Sequence, residues 1–113
     1  MRREDERLQD ILDAIAAIEK YTDRGRQVFD NEELIQVWII YHLQIIGEAA
    51  NDLSEVLKAR YSVIPWQQII GLRNLLVHEY FRIDKQLVWD IAIKDLPLLK
   101  RTTKVMLNNI NNN

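Results

Sequence analysis

Three residues suited to phosphate or proton chemistry lie within eight positions of a largely apolar segment: Arg73, His78 and Tyr80. An imidazole can accept or donate a proton near neutral pH. A guanidinium can hold a phosphate through two parallel hydrogen bonds and stabilise the charge that develops on it. RNA carries an internal nucleophile, its 2′-hydroxyl. An arginine and a histidine in one polar patch could therefore cleave RNA without a metal ion. The Arg-x4-His spacing alone is equally compatible with a purely structural histidine.

A helical wheel divides this segment into a polar side and an apolar side. At about 100° per residue, Arg73 and Tyr80 lie one above the other, and Asn74 and His78 form a neighbouring row. Asn74 is therefore a candidate for orienting phosphate or for bridging two subunits, and the spacing does not separate these roles. The apolar side is predicted to face the core and contains Ile69, Leu72, Leu75 and Leu76.

Apolar residues also interrupt the polar side of the wheel. Ile70 and Val77 lie between the two polar rows, with Trp66 close by. A polar face that carries apolar residues indicates contact with another protein surface. We expect Trp66 to be a core or interface anchor, with stacking on an RNA base as the alternative.

Apolar residues at three- and four-residue spacing, few Gly and Pro, and no strand pattern predict an all-α fold. The expected structure is one domain, residues 1–113, folded as a bundle of four to five helices. The predicted helices cover residues 2–24, 31–58, 65–83, 85–93 and 95–107. Gly25 is expected to stop the first helix, Asp30 to cap the second and Asp84 to cap the fourth. The asparagine-rich tail, residues 108–113, is expected to fray.

The middle of the second predicted helix, residues 37–50, is apolar almost all round. A helix of this kind is buried on more than one side, so we expect one side to face the core and the other a partner subunit. Gly47 would let a second helix approach closely. Glu48, in the same patch, is expected to be buried and to need an arginine partner. A direct role for Glu48 as general base is the alternative.

His42 lies in the same helix, beside Tyr41 and Leu43. We interpret it as a packed or interface histidine, because a metal ligand would need a second His or carboxylate at ligand spacing on that helix face. The sequence predicts neither a metal site nor a cofactor.

The charge of the chain is distributed unevenly. Residues 1–57 carry 6 Lys+Arg and 13 Asp+Glu (−7), whereas residues 58–113 carry 9 and 4 (+5), which together give the net −2. A basic half around Arg73 fits a polyanionic ligand, but the same asymmetry fits two oppositely charged halves that attract each other within the fold. With no cysteine, no long apolar run and no secretory signal pattern, a cytoplasmic location is expected and no membrane contact.

Beyond spacing and composition, the chain resembles the HepT-like proteins of the HEPN superfamily over nearly its whole length. The core of the resemblance is an Arg-x4-His-x-Tyr motif, met by Arg73, His78 and Tyr80, with Asn74 as the polar residue after the arginine. The segments that carry it are Ile46-Gly47-Glu48-Ala49, Trp66, Gly71 to Phe81, Trp89 and Asp95-Leu96-Pro97-Leu98-Leu99.

The resemblance implies a specific biology. HepT-like proteins are similar to ribonuclease toxins of type VII toxin–antitoxin pairs, in which two subunits line one cleft with their motifs. This implies catalytic roles for Arg73 and His78, a homodimer and an RNA substrate. It also implies an antitoxin, a minimal nucleotidyltransferase of the MntA type, that transfers AMP to the motif tyrosine, here Tyr80.

Two other readings remain open from the sequence. The same cleft could bind a nucleotide or RNA without cutting it. The chain could also be a helical subunit whose task is to assemble with the nucleotidyltransferase. Turnover of RNA without metal distinguishes an endoribonuclease from both.

Overall fold

A computed structural model describes residues 3–78 and 82–112, and all regular structure in these residues is helical. The predicted all-α fold is confirmed. The elements are α1 (Glu4–Thr22), α2 (Arg26–Asn31), α3 (Glu33–Asp52), α4 (Glu55–Arg60), α5 (Trp66–His78), α6 (Lys85–Asp90), a π-helical turn (Ile91–Asp95) and α7 (Leu96–Asn111).

Helix α3 is the centre of the bundle. It packs against α1 on one side and α5 on another, while α7 covers a further face of α1. The apolar rows of these helices interlock in a core whose fully buried members include Leu8, Ile11, Ile15, Ile18, Phe29, Ile39, Ile46, Leu76 and Met106. The pairing of α3 with α5 fixes the position of the polar residues predicted for chemistry.

The connection from α1 to α3 differs in part from the prediction. Gly25 ends the first helical segment with a φ of 95°, as expected of a residue that tolerates the left-handed region. Asp30 does not cap the next long helix. It lies inside the short α2, where its carboxylate accepts a 2.8 Å hydrogen bond from Arg26. The side-chain amide of Gln36 instead donates to the carbonyl of Phe29 at 2.8 Å and so binds α2 to α3.

The predicted helix over residues 31–58 is interrupted by Leu53 and Ser54. The Oγ of Ser54 accepts a hydrogen bond from the backbone N–H of Leu57 at 3.1 Å and starts α4. The backbone N–H of Ser54 donates to the Glu4 carboxylate at 2.6 Å, so a contact from α1 stabilises the break.

The C-terminal helices are continuous. Asp84 caps α6 as predicted, because its carboxylate accepts the backbone N–H of Gln86 at 2.9 Å. From there the chain stays helical to Asn111, with the π turn in the middle. The last α-helix starts at Leu96, next to the expected start at Asp95, but the Asp95 side chain makes no cap hydrogen bond and no break precedes it. The helix also continues past the expected end at Leu107.

Trp66 anchors the start of α5. Its side chain is 6% exposed, and its indole N–H lies 3.1 Å from the carbonyl oxygens of both Lys58 and Tyr61. Because the ring is buried and its donor is engaged, Trp66 is a core anchor and is not available to stack on RNA.

We expect Trp66→Phe to lower the free energy of unfolding by about 1–2 kcal/mol, because the hydrogen bonds from the buried indole N–H to two carbonyl oxygens are lost. Trp89→Phe is the matched control. The Trp89 ring packs on Phe29 at a centroid distance of 5.2 Å. Its substitution therefore changes ring packing and removes fewer hydrogen bonds than Trp66→Phe does. Urea unfolding of the two variants measures the difference, and equal losses would contradict the anchoring role.

Ion pairs connect the acidic and basic halves of the chain. Lys100 lies 3.0 Å from Glu19, and Arg73 lies 3.5 Å from Glu48. Part of the charge asymmetry is therefore used within the fold. Within residues 3–78 and 82–112, no helix has the length and apolar character needed to cross a membrane.

Candidate active site

Arg73 lies where α5 crosses α3. Its Cβ rests directly on Gly47, so closely that a methyl group at position 47 would overlap it. The same methyl group would lie 2.9 Å from the Cγ of Arg73 and 3.2 Å from the backbone oxygen of Ile69. The close helix approach expected at Gly47 is therefore present, and its neighbour is α5 of the same chain.

The guanidinium of Arg73 is held by residues from both helices. One terminal nitrogen donates to the side-chain oxygen of Asn74 at 3.1 Å, and the other lies 3.5 Å from the Glu48 carboxylate. The Nε atom is buried and has no hydrogen-bond partner. This arrangement leaves the outer edge of the guanidinium accessible, since the side chain is 34% exposed.

Glu48 has the arginine partner that was expected, but it is not buried. Its side chain is 53% exposed because α3 turns this position away from α1 and toward open solvent beside α5. An exposed pair of this kind contributes only about 0–1 kcal/mol to stability. The contact therefore orients Arg73 more than it stabilises the fold.

These residues line a polar surface pocket of about 460 Å³. Its walls are formed by α3 on one side and α5 on the other, and its lining residues are Glu48, Asn51, Asp52, Ile70, Arg73 and Asn74. Three of the predicted site residues, Arg73, Asn74 and Glu48, therefore meet in one place.

His78 does not line that pocket. It is exposed at the last turn of α5, and Val77 beside it is 43% exposed. Tyr80, predicted as the site of modification, lies outside the described residues. Within one chain the structure brings the phosphate-binding candidate Arg73 and its polar partners together, and it places the proton-transfer candidate His78 outside their pocket, at the last residue of α5.

The prediction of which side of α5 faces the core is only partly correct. Leu76 is 1% exposed, but Leu75 is 43% exposed, so its predicted core position is wrong. The reason is that α3 covers only one side of α5. Together with Ile69 and Leu72, Leu75 lines an open apolar groove of about 570 Å³ that faces α6, the π turn and the start of α7.

His42 packs on the aromatic surface of α3, as a packed or interface histidine would. Its ring centroid lies 4.4 Å from Trp38 and 5.1 Å from Tyr41, and its Nδ1 lies 2.8 Å from the Trp38 carbonyl oxygen. In the part of the chain that the structure describes, no three His, Asp or Glu side chains are grouped to hold a metal ion.

Three neighbours of the site, Asn51, Asp52 and Arg7, were not predicted from the sequence. Asp52 lines the pocket, and its carboxylate lies 3.2 Å from the Arg7 guanidinium of α1. The available signal was the four-residue spacing from Glu48, which places both carboxylates on one face of α3. Arg7 could not be found this way, because its contact depends on how α1 packs.

The fold and this site define a small all-α protein with an arginine-centred polar pocket at a helix crossing. The chain belongs to the ribonuclease HepT-like family, whose model matches residues 11–106. That segment contains Glu48, Arg73, Asn74, His78 and Tyr80.

Curated relatives agree with this assignment. A Methanocaldococcus jannaschii protein named "Putative RNase MJ1380" is 34% identical over 100 residues, which is 88% of this chain and 92% of the relative. A Thermococcus cleftensis protein named "Probable ribonuclease HepT" is 34% identical over 97 residues, covering 82% of this chain and 86% of the relative. "Putative RNase TTE0752" of Caldanaerobacter subterraneus is 30% identical over 90 residues, 80% of each chain. No solved structure matches the chain.

Proposed function

We propose that this chain is a metal-independent endoribonuclease, the toxin of a type VII toxin–antitoxin pair. The observation that carries the proposal is the placement of Arg73, the arginine of the family motif, with its guanidinium oriented at an accessible pocket. Membership of a ribonuclease family supplies the reaction class, and the geometry supplies a residue that can bind the scissile phosphate.

In this mechanism the guanidinium of Arg73 binds the non-bridging oxygens of the phosphate. His78 takes the proton of the adjacent 2′-hydroxyl, and the resulting oxygen attacks phosphorus. The bond to the 5′-oxygen breaks, and that oxygen takes the proton back from the protonated His78. The products are a 2′,3′-cyclic phosphate and a 5′-hydroxyl, so the RNA supplies both nucleophile and leaving group.

A single chain does not complete this site. In the pocket, Glu48 pairs with the guanidinium of Arg73 and Asp52 pairs with that of Arg7, and His78 lies outside it. A phosphate would meet repulsion from the carboxylates unless further positive charge or donors were added. A second copy of the chain, packed against α5, would bring another Arg73 and His78 to the same cleft, and this is why we propose a homodimer.

The test of the activity is cleavage of defined RNA oligonucleotides by purified protein in EDTA. We expect metal-independent products that end in a cyclic phosphate or a 3′-phosphate. An oligonucleotide with a single 2′-deoxy residue at the cleavage position should resist at that position, because the nucleophile is missing. Cleavage that persists at the deoxy position, or that needs a metal, would contradict the mechanism.

Dimerisation predicts a second result. Val77→Asp should convert the dimer to a species of 13.4 kDa and reduce cleavage in parallel, because a buried charge disfavours an apolar contact. Val105→Asp on α7, at a valine with 52% exposure, is the matched control and should leave both properties unchanged. Sedimentation velocity at micromolar concentration measures the assembly. A wild-type protein that sediments only as a monomer would exclude the homodimer.

The proposed partner is a minimal nucleotidyltransferase antitoxin, encoded beside this chain, that modifies Tyr80. The proposal rests on the family, since the relatives' names describe ribonucleases and not their regulation. A short nucleotidyltransferase reading frame next to the gene, and rescue of growth when both are expressed, would support it.

A further inference from the structure

We propose that Gly47 is a positioning residue for the Arg73 guanidinium. This inference rests on the proposed function, because it assigns Gly47 a role in placing the group that binds phosphate. It concerns a residue that touches neither RNA nor the reacting atoms.

The contact between the two residues is steric. Gly47 lies in the buried face of α3, and the side chain of Arg73 begins directly above it. A Cβ at position 47 would overlap the Cβ of Arg73 and press on its Cγ at 2.9 Å. The Cβ of Arg73 is fixed by its own backbone, so it cannot rotate away as the more distant atoms of a side chain can.

The backbone gives no alternative room. The third atom close to such a Cβ is the carbonyl oxygen of Ile69, at 3.2 Å, which belongs to the backbone of α5. An added methyl group must therefore move α5 away from α3. Because packed helices shift as rigid elements, Arg73 would move with the whole helix.

A shift of α5 would change the contacts that orient the guanidinium. Glu48 follows Gly47 on α3 and pairs with Arg73 at 3.5 Å, whereas Asn74 sits on α5 beside Arg73. Separation of the helices would lengthen the Glu48 contact and leave the Asn74 contact in place. The guanidinium would then turn away from the pocket wall formed by α3. Gly47 thus sets the distance between the two halves of the phosphate site.

Gly71 provides a matched control on α5. It is a helical glycine with open space around its missing Cβ, so Gly71→Ala meets no neighbour within 4 Å. Since alanine is the better helix former, Gly71→Ala should raise Tm by up to about 6 °C. Gly47→Ala should lower Tm by roughly 5–15 °C, although its helix propensity improves in the same way.

A double-mutant cycle with Arg73→Gly isolates the steric cause. That substitution removes both carbons that would meet the new methyl group and leaves only the Ile69 carbonyl oxygen at 3.2 Å, so Gly47→Ala should cost much less Tm in the Arg73→Gly background. If Gly47→Ala alone fails to fold and the double variant folds, the same conclusion holds. An equal loss of Tm in both backgrounds, or failure of both variants to fold, would overturn the proposal.

The positioning role is read out by binding to a non-cleavable 2′-O-methyl RNA oligonucleotide. Gly47→Ala should weaken binding roughly tenfold and reduce its salt dependence by about one phosphate contact, as loss of one arginine contact does. In the Arg73→Gly background the same substitution should have no further effect on affinity. Additive losses would show a general structural defect and contradict the role.

The outcomes also separate this inference from the proposed function. If the wild-type protein neither binds nor cleaves RNA, the proposed function fails, and the Tm cycle still decides whether Gly47 sets the position of Arg73. If RNA is cleaved and Gly47→Ala cleaves and binds as the wild type does, the proposed function stands and Gly47 is not a positioning residue.

Discussion

Replacing His78 by alanine should reduce RNA cleavage by roughly 10²–10⁴-fold, because a general acid–base catalyst is lost. The fold should be unaffected, since His78 is exposed at the end of α5. Replacing Arg73 by alanine should cost roughly 10²–10³-fold through the loss of charge stabilisation in the transition state. Single-turnover cleavage of one labelled oligonucleotide measures both losses.

The other histidine gives the control. His42 packs on Trp38 in α3 and is not placed in the proposed mechanism, so His42→Ala should cleave at the wild-type rate. This comparison also excludes a contaminating ribonuclease, because all variants are purified alike. A well-folded His78→Ala protein that retains wild-type activity would remove His78 from the mechanism.

The arginine variant is expected to unfold at nearly the wild-type denaturant concentration. Its ion pair with Glu48 is partly exposed on both sides, and such pairs contribute about 0–1 kcal/mol. The unpaired buried Nε atom gives a further reason, since its removal relieves an unsatisfied donor. Activity and stability should therefore separate clearly at position 73.

The helical part of the fold could be predicted because apolar periodicity is a local signal. The spacing of Leu8, Ile11, Ile15 and Ile18 identifies α1, and all four are fully buried. The interruptions of the helices were harder to predict, because they depend on contacts between residues distant in the sequence. Ser54 interrupts the predicted second helix with help from Glu4, fifty residues earlier in the chain. No local sequence pattern predicts a contact between residues so far apart in the chain.

The predicted break between α6 and α7 was wrong because of Pro97. Pro97 has no N–H, and its ring would clash with the carbonyl four residues before it in a regular α-helix. This favours a helix start, which was predicted at Asp95. In the structure the π turn Ile91–Asp95 widens the helix immediately before Pro97, and the chain continues without a break.

The site could be predicted as far as its residues share one helix face. Arg73 and Asn74 were found from the wheel, and the arginine partner of Glu48 followed from the cost of an unpaired carboxylate near small residues. The steric fit of Arg73 on Gly47 depends on where two helices cross. Helix spacing along the chain does not contain that information.

The last expected result concerns regulation at Tyr80, two residues beyond His78 in the family motif. In the presence of ATP and the proposed nucleotidyltransferase partner, the peptide that contains Tyr80 should gain the mass of one AMP residue or a multiple of it. Each AMP brings about one negative charge. Because the wheel places Tyr80 on the same face as Arg73, the adduct should occupy the guanidinium and exclude RNA.

Tyr80→Phe should therefore retain most of the ribonuclease activity, gain no mass and escape neutralisation, so that the cells stop growing even when the antitoxin is present. Tyr41→Phe is the control, since Tyr41 is 57% exposed on α3 and should leave the modification and neutralisation unchanged. Intact and peptide mass spectrometry, together with growth of cells that express both proteins, measures these outcomes. An adduct that persists in the Tyr80→Phe protein would move the regulatory site to another residue and leave Tyr80 outside the switch.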